Sequence, residues 1–168
     1  MFENTKQHVE KFIYVLYGSQ TGNAMEIAKL LKEDIEDIIT SHVTCKSLDE
    51  YIKENSMETS RNRGWLLIIC STTGNGDPPD NASKFWRSIK SRKCDKKLFD
   101  GFYYSVLGLG DTNYDKFCYM GKQIHKRMEE LSAKSILPLC CVDEVGDMEE
   151  MVEEWMEKIK EKVKEQME

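Results

Sequence analysis

The chain has 168 residues, enough for one domain with a sizeable core, and its 40% hydrophobic and 32% charged residues are typical of a soluble globular protein. The net charge of −6, from 24 basic and 30 acidic residues, argues against nucleic acid as a partner, because phosphate backbones attract basic surfaces. No apolar run approaches the roughly 18 residues of a membrane helix, so no membrane segment is expected. Residues 1–10 are predicted to be a polar N-terminal extension without a signal-peptide core.

The hydrophobic pattern predicts alternating strands and helices. In chain order it predicts a strand over 12–17, a helix over 22–40, a strand over 43–48, a polar segment with a helical turn and a loop over 51–64 and an apolar strand over 65–70. It continues with a helix over 80–91 that has Asp80 or Asn81 as N-cap, a strand over 102–107, a helix over 118–131, a strand over 136–142 and a helix from 148 to the end. This alternation predicts one α/β domain over residues 1–168, with a parallel sheet between two layers of helices.

The six cysteines, at positions 45, 70, 94, 118, 140 and 141, include no C-x-x-C pair and no Cys/His cluster with zinc spacing. We therefore expect reduced thiols in a cytoplasmic protein, without a disulfide framework and without a metal site. Cys70 and Cys140 lie in apolar runs, which predicts that both are buried. The sequence offers no explanation for the adjacent pair Cys140 and Cys141.

Three loops rich in Gly, Ser, Thr and Asn follow the first, third and fourth predicted strands. They are GSQTGNA (18–24, the first loop), STTGNGDPPDN (71–81, the second loop) and GLGDTNYDKFC (108–118, the third loop). In open parallel sheets, ligands bind outside the carboxyl ends of the strands, where the strand order reverses. These loops are therefore the candidate site.

The first loop has the composition of a phosphate-binding turn. Ser19, Thr21 and Asn23 can donate hydrogen bonds, and backbone N–H groups over 22–24 are expected to be unpaired at the helix start, where the helix dipole favours an anion. A loop for nucleoside triphosphates would read G-x-x-x-x-G-K-[ST], and its lysine and magnesium-binding hydroxyl are missing here. The loop thus favours a single phosphate without a metal, with an ordinary strand-to-helix turn as the alternative.

The other two loops favour a flat ligand. Gly74 and Gly76 are expected to permit positive φ and a close approach of the backbone. Tyr114 is predicted to be an exposed stacking face, whereas Phe117 is expected to anchor the third loop in the core. Each loop taken alone also suits an ordinary turn, and the three together favour a pocket for flavin mononucleotide (FMN).

With these loops the sequence resembles the FMN-binding, flavodoxin-like domain of the diflavin reductases, a family that includes the P450 reductases. The resemblance covers nearly the whole chain after residue 11 and is carried by YGSQTGNA, STTGNGDPPDNASKFW, LGLGDTNYDKFCYMGKQIHKRMEEL and EEWMEKI. Within the family it is greatest for the methionine synthase reductases and next for the diflavin reductases of cytosolic iron–sulfur assembly. It implies a flavodoxin-like, doubly wound sheet of five parallel strands in the order 2-1-3-4-5, with helices on both faces.

The resemblance also implies which residues hold the flavin. The first loop corresponds to the phosphate loop, Gly74 to the residue whose carbonyl turns toward flavin N5 on reduction, Tyr114 to the stacking aromatic and Glu144 to an acid beside the ring. The implied FMN contacts are Ser19, Gln20, Thr21, Gly22, Asn23, Ala24, Ser71, Thr72, Thr73, Gly74, Asn75, Gly76, Leu107, Gly108, Leu109, Gly110, Asp111, Tyr114, Phe117, Cys118 and Glu144.

Two departures from the family pattern are visible. Thr73 stands where the P450 reductases have a second stacking tyrosine, so the flavin is expected to be covered by an aromatic ring on one face only. No FAD- or NADPH-binding module follows in the sequence. Either the chain is an excised domain, or it works with separate partners.

The resemblance implies electron relay from an FAD/NADPH reductase module to a protein acceptor, with methionine synthase as the first expectation. The acceptor is expected to dock at an acidic face formed by Asp77, Asp80, Asp111, Asp115, Asp143, Glu144 and Asp147. Because the flavin does the chemistry, no general acid–base residue and no nucleophile are expected. Negative charge from Asp111 and Glu144 is expected to lower the flavin potential.

Two other classes share parts of this pattern. A receiver-type signalling module has the same strand order, but it would need an acidic cluster after the first strand and an aspartate at the end of the third, where Gly18 and Ser71 stand. A small phosphatase would need C-x5-R in its first loop, which contains no cysteine. Both interpretations are therefore weaker than a flavoprotein.

Overall fold

The computed structural model describes residues 12–55 and 63–167. Its strands are β1 Phe12–Gly18, β2 His42–Ser47, β3 Gly64–Ser71, β4 Tyr103–Gly110, β5 Lys134–Ser135 and β6 Cys140–Asp143. Its helices are α1 Asn23–Glu36, α2 Leu48–Glu54, α3 Ser83–Lys90, α4 Tyr119–Glu130 and α5 Met148–Met167, and a short 3-10 helix, Asp80–Ala82, precedes α3. The predicted extension 1–10 and part of the predicted loop over 51–64 lie outside the described residues.

The strands form one parallel sheet. Their order is β2-β1-β3-β4, and β5 and β6 both pair with β4 on its outer side. Counted by position, this is the order 2-1-3-4-5 that the resemblance implied, so that expectation is confirmed. The strand order reverses between β1 and β3, and the carboxyl ends of the strands share one edge.

Alternate side chains of the central strands enter two separate cores. Ile13 and Val15 of β1 pack with α1 and α5 on one face of the sheet. Tyr14 and Leu16 pack with α2, α3 and α4 on the other face. Burial on both faces explains why β1, β3 and β4 are nearly continuous apolar runs in the sequence.

The last strand position is split into two pieces. The sequence predicted one strand over 136–142, whereas β5 ends at Ser135 and β6 begins at Cys140. Pro138 lies in the gap and cannot donate a ladder hydrogen bond, although the Ile136 N–H still donates to Tyr104 O over 2.8 Å. Cys140 is half-buried beside this break, so the prediction of a buried side chain was only partly met.

The helices differ from prediction mainly at their ends. α2 occupies 48–54, so it begins earlier than the helical turn predicted from residue 51. Its start lies where Ser47 Oγ accepts the Glu50 N–H over 3.1 Å. Leu48, predicted as the last strand residue, is therefore the first residue of a helix. Within 12–55 and 63–167, no helix is both long and apolar enough to cross a membrane.

α4 lies unusually close to β4 because two glycines face each other. A Cβ added to Gly121 would lie 2.8 Å from Gly108 Cα. Only hydrogen atoms fit between the two backbones at this point. This contact sets the position of α4, and with it the end of the third loop.

Gly121→Ala should therefore lower the free energy of unfolding by about 1–3 kcal/mol, because the added methyl group overpacks a contact between two backbones. The better helix propensity of alanine offsets only about 1 kcal/mol. Chemical denaturation measures the change, with Gly146→Ala as control, where the nearest atom to the added Cβ is 3.7 Å away. Equal stabilities of the two variants would contradict the close packing.

Candidate functional site

Four loops meet at the carboxyl edge of the sheet. They are the first, second and third loops defined above and a fourth loop, 144–147, which connects β6 to α5. Glu144 is the only residue of the fourth loop that was among the predicted flavin contacts. Hydrogen bonds between side chains and backbone groups join neighbouring loops.

The first loop enters α1 through a glycine in the left-handed conformation. Gly22 has a φ of 102°, and its N–H donates to Ser19 Oγ over 2.9 Å. The prediction that this amide is unpaired was therefore wrong. The Ser19 N–H donates to Asn81 Oδ1 over 2.8 Å. The N–H groups of Thr21 and Asn23 have no acceptor within the described part of the chain. The loop thus directs free amides and the positive end of a helix dipole toward an anion.

Asp80 and Asn81 hold the first loop and do not cap a helix. The Asp80 N–H donates to Gln20 Oε1 over 3.1 Å, and Gln20 Nε2 donates to Asp80 Oδ2 over 3.3 Å. The 3-10 helix follows Pro79 and α3 follows Ala82, and neither of these described helix starts has a side-chain cap. The N-cap prediction was wrong because the Asn81 oxygen has a partner 62 positions away in the sequence.

The second loop contains a tight turn between Thr73 and Asp77. Both the Thr73 N–H and its hydroxyl donate to Asp77 O over 3.0 Å, and the Gly76 N–H donates to Thr73 O over 2.8 Å. Gly76 has a φ of 89°, which favours glycine. Gly74, for which the same freedom was predicted, lies outside the left-handed region and has open space where a Cβ would be.

The third loop presents Tyr114 to solvent. Asp111 Oδ1 accepts the Asn113 N–H over 2.8 Å, and Asp111 O accepts the Tyr114 N–H over 3.1 Å. This turn, shaped by its own aspartate, leaves the Tyr114 side chain 58% exposed. Phe117 is partly buried, with Lys122 Nζ 5.5 Å from its ring centroid. Tyr114 is thus exposed as predicted, whereas Phe117 belongs to neither core cluster, so the core anchor predicted for it is not found.

The third loop and the β6 end of the sheet are joined by hydrogen bonds. The Thr112 hydroxyl donates to Asp143 Oδ2 over 2.5 Å, and the Glu144 N–H donates to Gly110 O over 2.8 Å. The other carboxylate oxygen of Asp143 accepts the Val145 N–H over 3.1 Å, which orders the start of the fourth loop. These bonds position Glu144 beside the third loop.

A cavity of about 190 Å³ lies between the second, third and fourth loops. It is lined by Thr72, Thr73, Gly74, Gly110, Asp111, Tyr114, Lys116 and Glu144. Tyr114 is the only aromatic residue in this lining of described residues, as the threonine at position 73 led us to expect. The first loop does not line the cavity and is joined to the second loop through Asp80 and Asn81.

Lys116 lines this cavity although it was not predicted as a site residue. Its Nζ lies 4.9 Å from the centroid of the Tyr119 ring. Its side chain runs over Gly76, where an added Cβ would lie only 2.6 Å from Lys116 Cδ. The sequence feature that could have identified Lys116 as a site residue is that it is the one lysine in a loop whose other charged residues are acidic.

Several predicted contact residues lie in the core. The side chains of Ala24, Leu107 and Leu109 are fully buried against α1 and α5, so only their backbone can face a ligand. Gly108 faces α4, and the Cys118 thiol is buried against it, 3.3 Å from Gly108 O. The predicted flavin contacts therefore include residues that line the cavity and residues whose side chains pack in the core beneath it.

Three predicted residues of the second loop have distinct surroundings. Ser71 Oγ is buried and has no hydrogen-bond partner within the described ranges. The Thr72 hydroxyl accepts the Met120 N–H over 3.1 Å, which joins the second loop to the start of α4. Asn75 is exposed in the tight turn. A buried hydroxyl without a partner is unfavourable, and a polar ligand atom would satisfy Ser71.

Two neighbouring carboxylates, one lining the cavity and one beside it, have pKa values shifted in opposite directions. Burial, followed by repulsion from Asp111 and Asp143, raises the pKa of Glu144 above its usual range. The hydrogen bond from the Thr112 hydroxyl lowers the pKa of Asp143. With Lys116, the cavity lining carries two carboxylates and one ammonium group.

The fold and the four loops define a flavodoxin-like domain, and known proteins agree. The flavodoxin family model matches residues 15–155. The chain is 39% identical over 134 residues to NADPH-dependent diflavin oxidoreductase 1 of Xenopus laevis (79% of this chain, 21% of that protein) and 35% identical over 139 residues to methionine synthase reductase of Rattus norvegicus (83% and 19%). The structure of a flavodoxin mutant from Pseudomonas aeruginosa superposes with a TM-score of 0.69 at 25% identity, covering 91% of this chain and 99% of that one.

The chain belongs to the flavodoxin family, whose domains bind FMN, and its relatives are diflavin oxidoreductases. It spans about a fifth of the length of the diflavin reductases that it matches. The described residues suit FMN. The first loop offers free amides without a basic side chain, Ser71 offers an unpaired buried hydroxyl, and Tyr114 offers an exposed ring beside the cavity.

Asn81→Asp should weaken FMN binding about tenfold, or about 1.4 kcal/mol. The aspartate can still accept the Ser19 N–H, so the first loop keeps its shape, but the new charge repels a phosphate held there. Quenching of FMN fluorescence on titration with protein measures the affinity. Gln123→Glu, which adds the same charge on α4, is the control, and equal affinities would mean that the first loop does not hold the phosphate.

Glu144→Gln and Lys116→Gln should shift the potential of bound FMN in opposite directions, because one removes a negative and the other a positive charge from the cavity lining. We expect a rise for Glu144→Gln and a fall for Lys116→Gln, each of about 20 mV if one charge contributes about 1 kcal/mol. Since burial and nearby carboxylates raise the pKa of Glu144, its effect should disappear on acidification at a higher pH than that of an unperturbed glutamate. Redox titration measures both shifts.

Lys164→Gln, on the last turn of α5, is the control for these titrations, because its exposed side chain lies on an element that leads away from the site edge. It should leave the potential unchanged. Shifts of the same sign in the two cavity variants would contradict the electrostatic explanation.

Proposed function

We propose that this domain relays electrons between an FAD- and NADPH-binding reductase module and a protein acceptor, with FMN bound at the carboxyl edge of the sheet. The observation that carries this proposal is the cavity beside Tyr114, whose ring is 58% exposed. A flavin stacked on that ring keeps one edge within reach of a docked partner. Because the chain spans about a fifth of its diflavin relatives, turnover with NADPH requires a module beyond these residues.

In this proposal the residues of the chain bind and orient the cofactor. The amides of Thr21 and Asn23 hold the phosphate, Ser71 bonds a polar atom of the ligand, and Tyr114 stacks on the ring. Glu144 sets the charge beside the ring. Bound FMN supplies the electron-transfer chemistry, and no side chain is required to act as a nucleophile or a proton donor.

The carboxylates of the proposed acidic face differ in how freely their side chains can meet a partner. Asp80, Asp111 and Asp143 are engaged in hydrogen bonds within and between the loops. Among the seven carboxylates of the predicted acidic face, three are exposed and have side chains without a partner within the described residues: Asp77, Asp115 and Asp147. We infer that they attract a basic surface on the partner, which would accelerate encounter more than it strengthens the complex.

The acceptor is the finer part of the proposal. The sequence resemblance favoured methionine synthase, but the chain is more similar to NADPH-dependent diflavin oxidoreductase 1 than to methionine synthase reductase, at 39% against 35% identity. This comparison supports the acceptor of a diflavin oxidoreductase 1 over methionine synthase. In either case the docking chemistry is the same, a basic patch against the acidic face.

Reduction of a basic one-electron acceptor tests the proposal directly. The domain is loaded with FMN, reduced with dithionite and mixed with cytochrome c in a stopped-flow instrument at increasing salt. We expect a yellow protein whose reaction slows as salt rises. Asp115→Asn combined with Asp147→Asn should be slower than the unmodified domain at low salt and less sensitive to salt.

Glu161→Gln, which removes an exposed charge from α5, is the matched control and should behave like the unmodified domain. Failure to take up FMN would overturn the proposed function. Uptake of FMN with rates that do not depend on salt would overturn only the acidic docking face.

A further inference from the structure

Two cysteines lie side by side beneath the end of the third loop. In the parallel register, Cys141 of β6 pairs with Gly108 of β4, so their side-chain positions lie on the same face of the sheet. That face is the one covered by α4, whose first turn follows Cys118. Cys140 alternates to the other face and packs with the α1 and α5 core.

The glycine at 108 makes room for the sulfur of Cys118. A Cβ on Gly108 would lie 3.4 Å from Cys118 Cβ and 3.5 Å from its Sγ. The thiol instead rests on the bare strand, 3.3 Å from Gly108 O and 3.8 Å from Val142 O. This position is next to Cys141, which stands beside Gly108 on the same face of the sheet.

The two thiols are not equivalent. Cys118 is fully buried, whereas Cys141 is partly exposed. Interaction with the neighbouring Cys118 thiol, followed by the charge of Lys122, lowers the pKa of Cys141, whereas interaction with Cys141 together with burial raises the pKa of Cys118. Cys141 is therefore the thiol that can ionise and meet a solute, and Cys118 is the protonated neighbour behind it.

We propose that Cys141 and Cys118 form an oxidisable dithiol, with Cys141 as the thiol that reacts with peroxide and Cys118 as the thiol that resolves the product into a disulfide. The inference does not depend on FMN. All six cysteines are free thiols in the structure.

The chemistry is balanced with hydrogen peroxide as the oxidant. The Cys141 thiolate attacks one peroxide oxygen, the O–O bond breaks, and the released hydroxide becomes water by taking a proton, which leaves Cys141 as a sulfenic acid. The Cys118 sulfur then attacks the Cys141 sulfur, the S–S bond forms, the S–O bond breaks, and a second water leaves with the Cys118 proton. Sulfur has lost two electrons and peroxide has gained two. A dithiol reductant restores both thiols by exchange.

Peptide mapping by mass spectrometry tests the proposal on the full chain. The protein is treated with hydrogen peroxide, remaining thiols are blocked with N-ethylmaleimide, and crosslinked peptides are identified. We expect a Cys118–Cys141 disulfide as the first product, lighter by two hydrogen atoms and reversed by dithiothreitol. Cys118→Ala should instead accumulate a sulfenic acid at Cys141 that dimedone traps, and Cys141→Ala should react at least about tenfold more slowly.

Cys140→Ser is the matched control, because it changes the adjacent residue but points to the other face, and it should form the disulfide as the unmodified chain does. A first product that joins Cys140 to Cys141, or first oxidation at Cys45 or Cys94, would overturn the proposal. If Cys118→Ala does not fold, as judged by circular dichroism, the map of the unmodified chain decides alone.

Discussion

The parallel alignment of the strands is the constraint on which the candidate site depends. It sends the carboxyl ends of β1, β3, β4 and β6 to one edge, so loops far apart in the sequence become neighbours. Single hydrogen bonds then join them, such as Ser19 to Asn81 and Thr112 to Asp143. Each contributes only about 1 kcal/mol, so the shape of the edge results from several bonds acting together on loops that the sheet has already brought close.

At this edge the phosphate site that we propose is neutral, and the ring site that we propose is charged. The first loop has no basic side chain and relies on amides, which favour a phosphate without selecting a metal complex. The cavity instead sets Glu144 and Asp111 against Lys116. Because Glu144 is half-buried, its charge is less screened than an exposed one, and it can act on the potential of a bound flavin. Binding and tuning thus depend on different residues.

Glycine decides how closely the layers approach beneath this edge. Gly108 and Gly121 let α4 rest on β4, and the bare strand leaves space for the Cys118 thiol beside Cys141. The same close packing of α4 on β4 therefore positions both the proposed dithiol and the end of the third loop. It places a thiol that we propose to be sensitive to oxidation beneath the candidate flavin site.

The sequence by itself determined the alternation of strands and helices, the parallel sheet and the three glycine-rich loops, because hydrophobic period and turn composition are local signals. The tertiary structure decided what those signals leave open: that Asn81 holds the first loop, that Lys116 enters the cavity, and that Cys141 meets Cys118. It also split the last strand near Pro138. From local sequence alone, an asparagine before a helix is read as a cap, a lysine in a loop as a solvated surface residue and a cysteine as a small apolar residue. The role that each residue takes depends on the partners that folding brings near it.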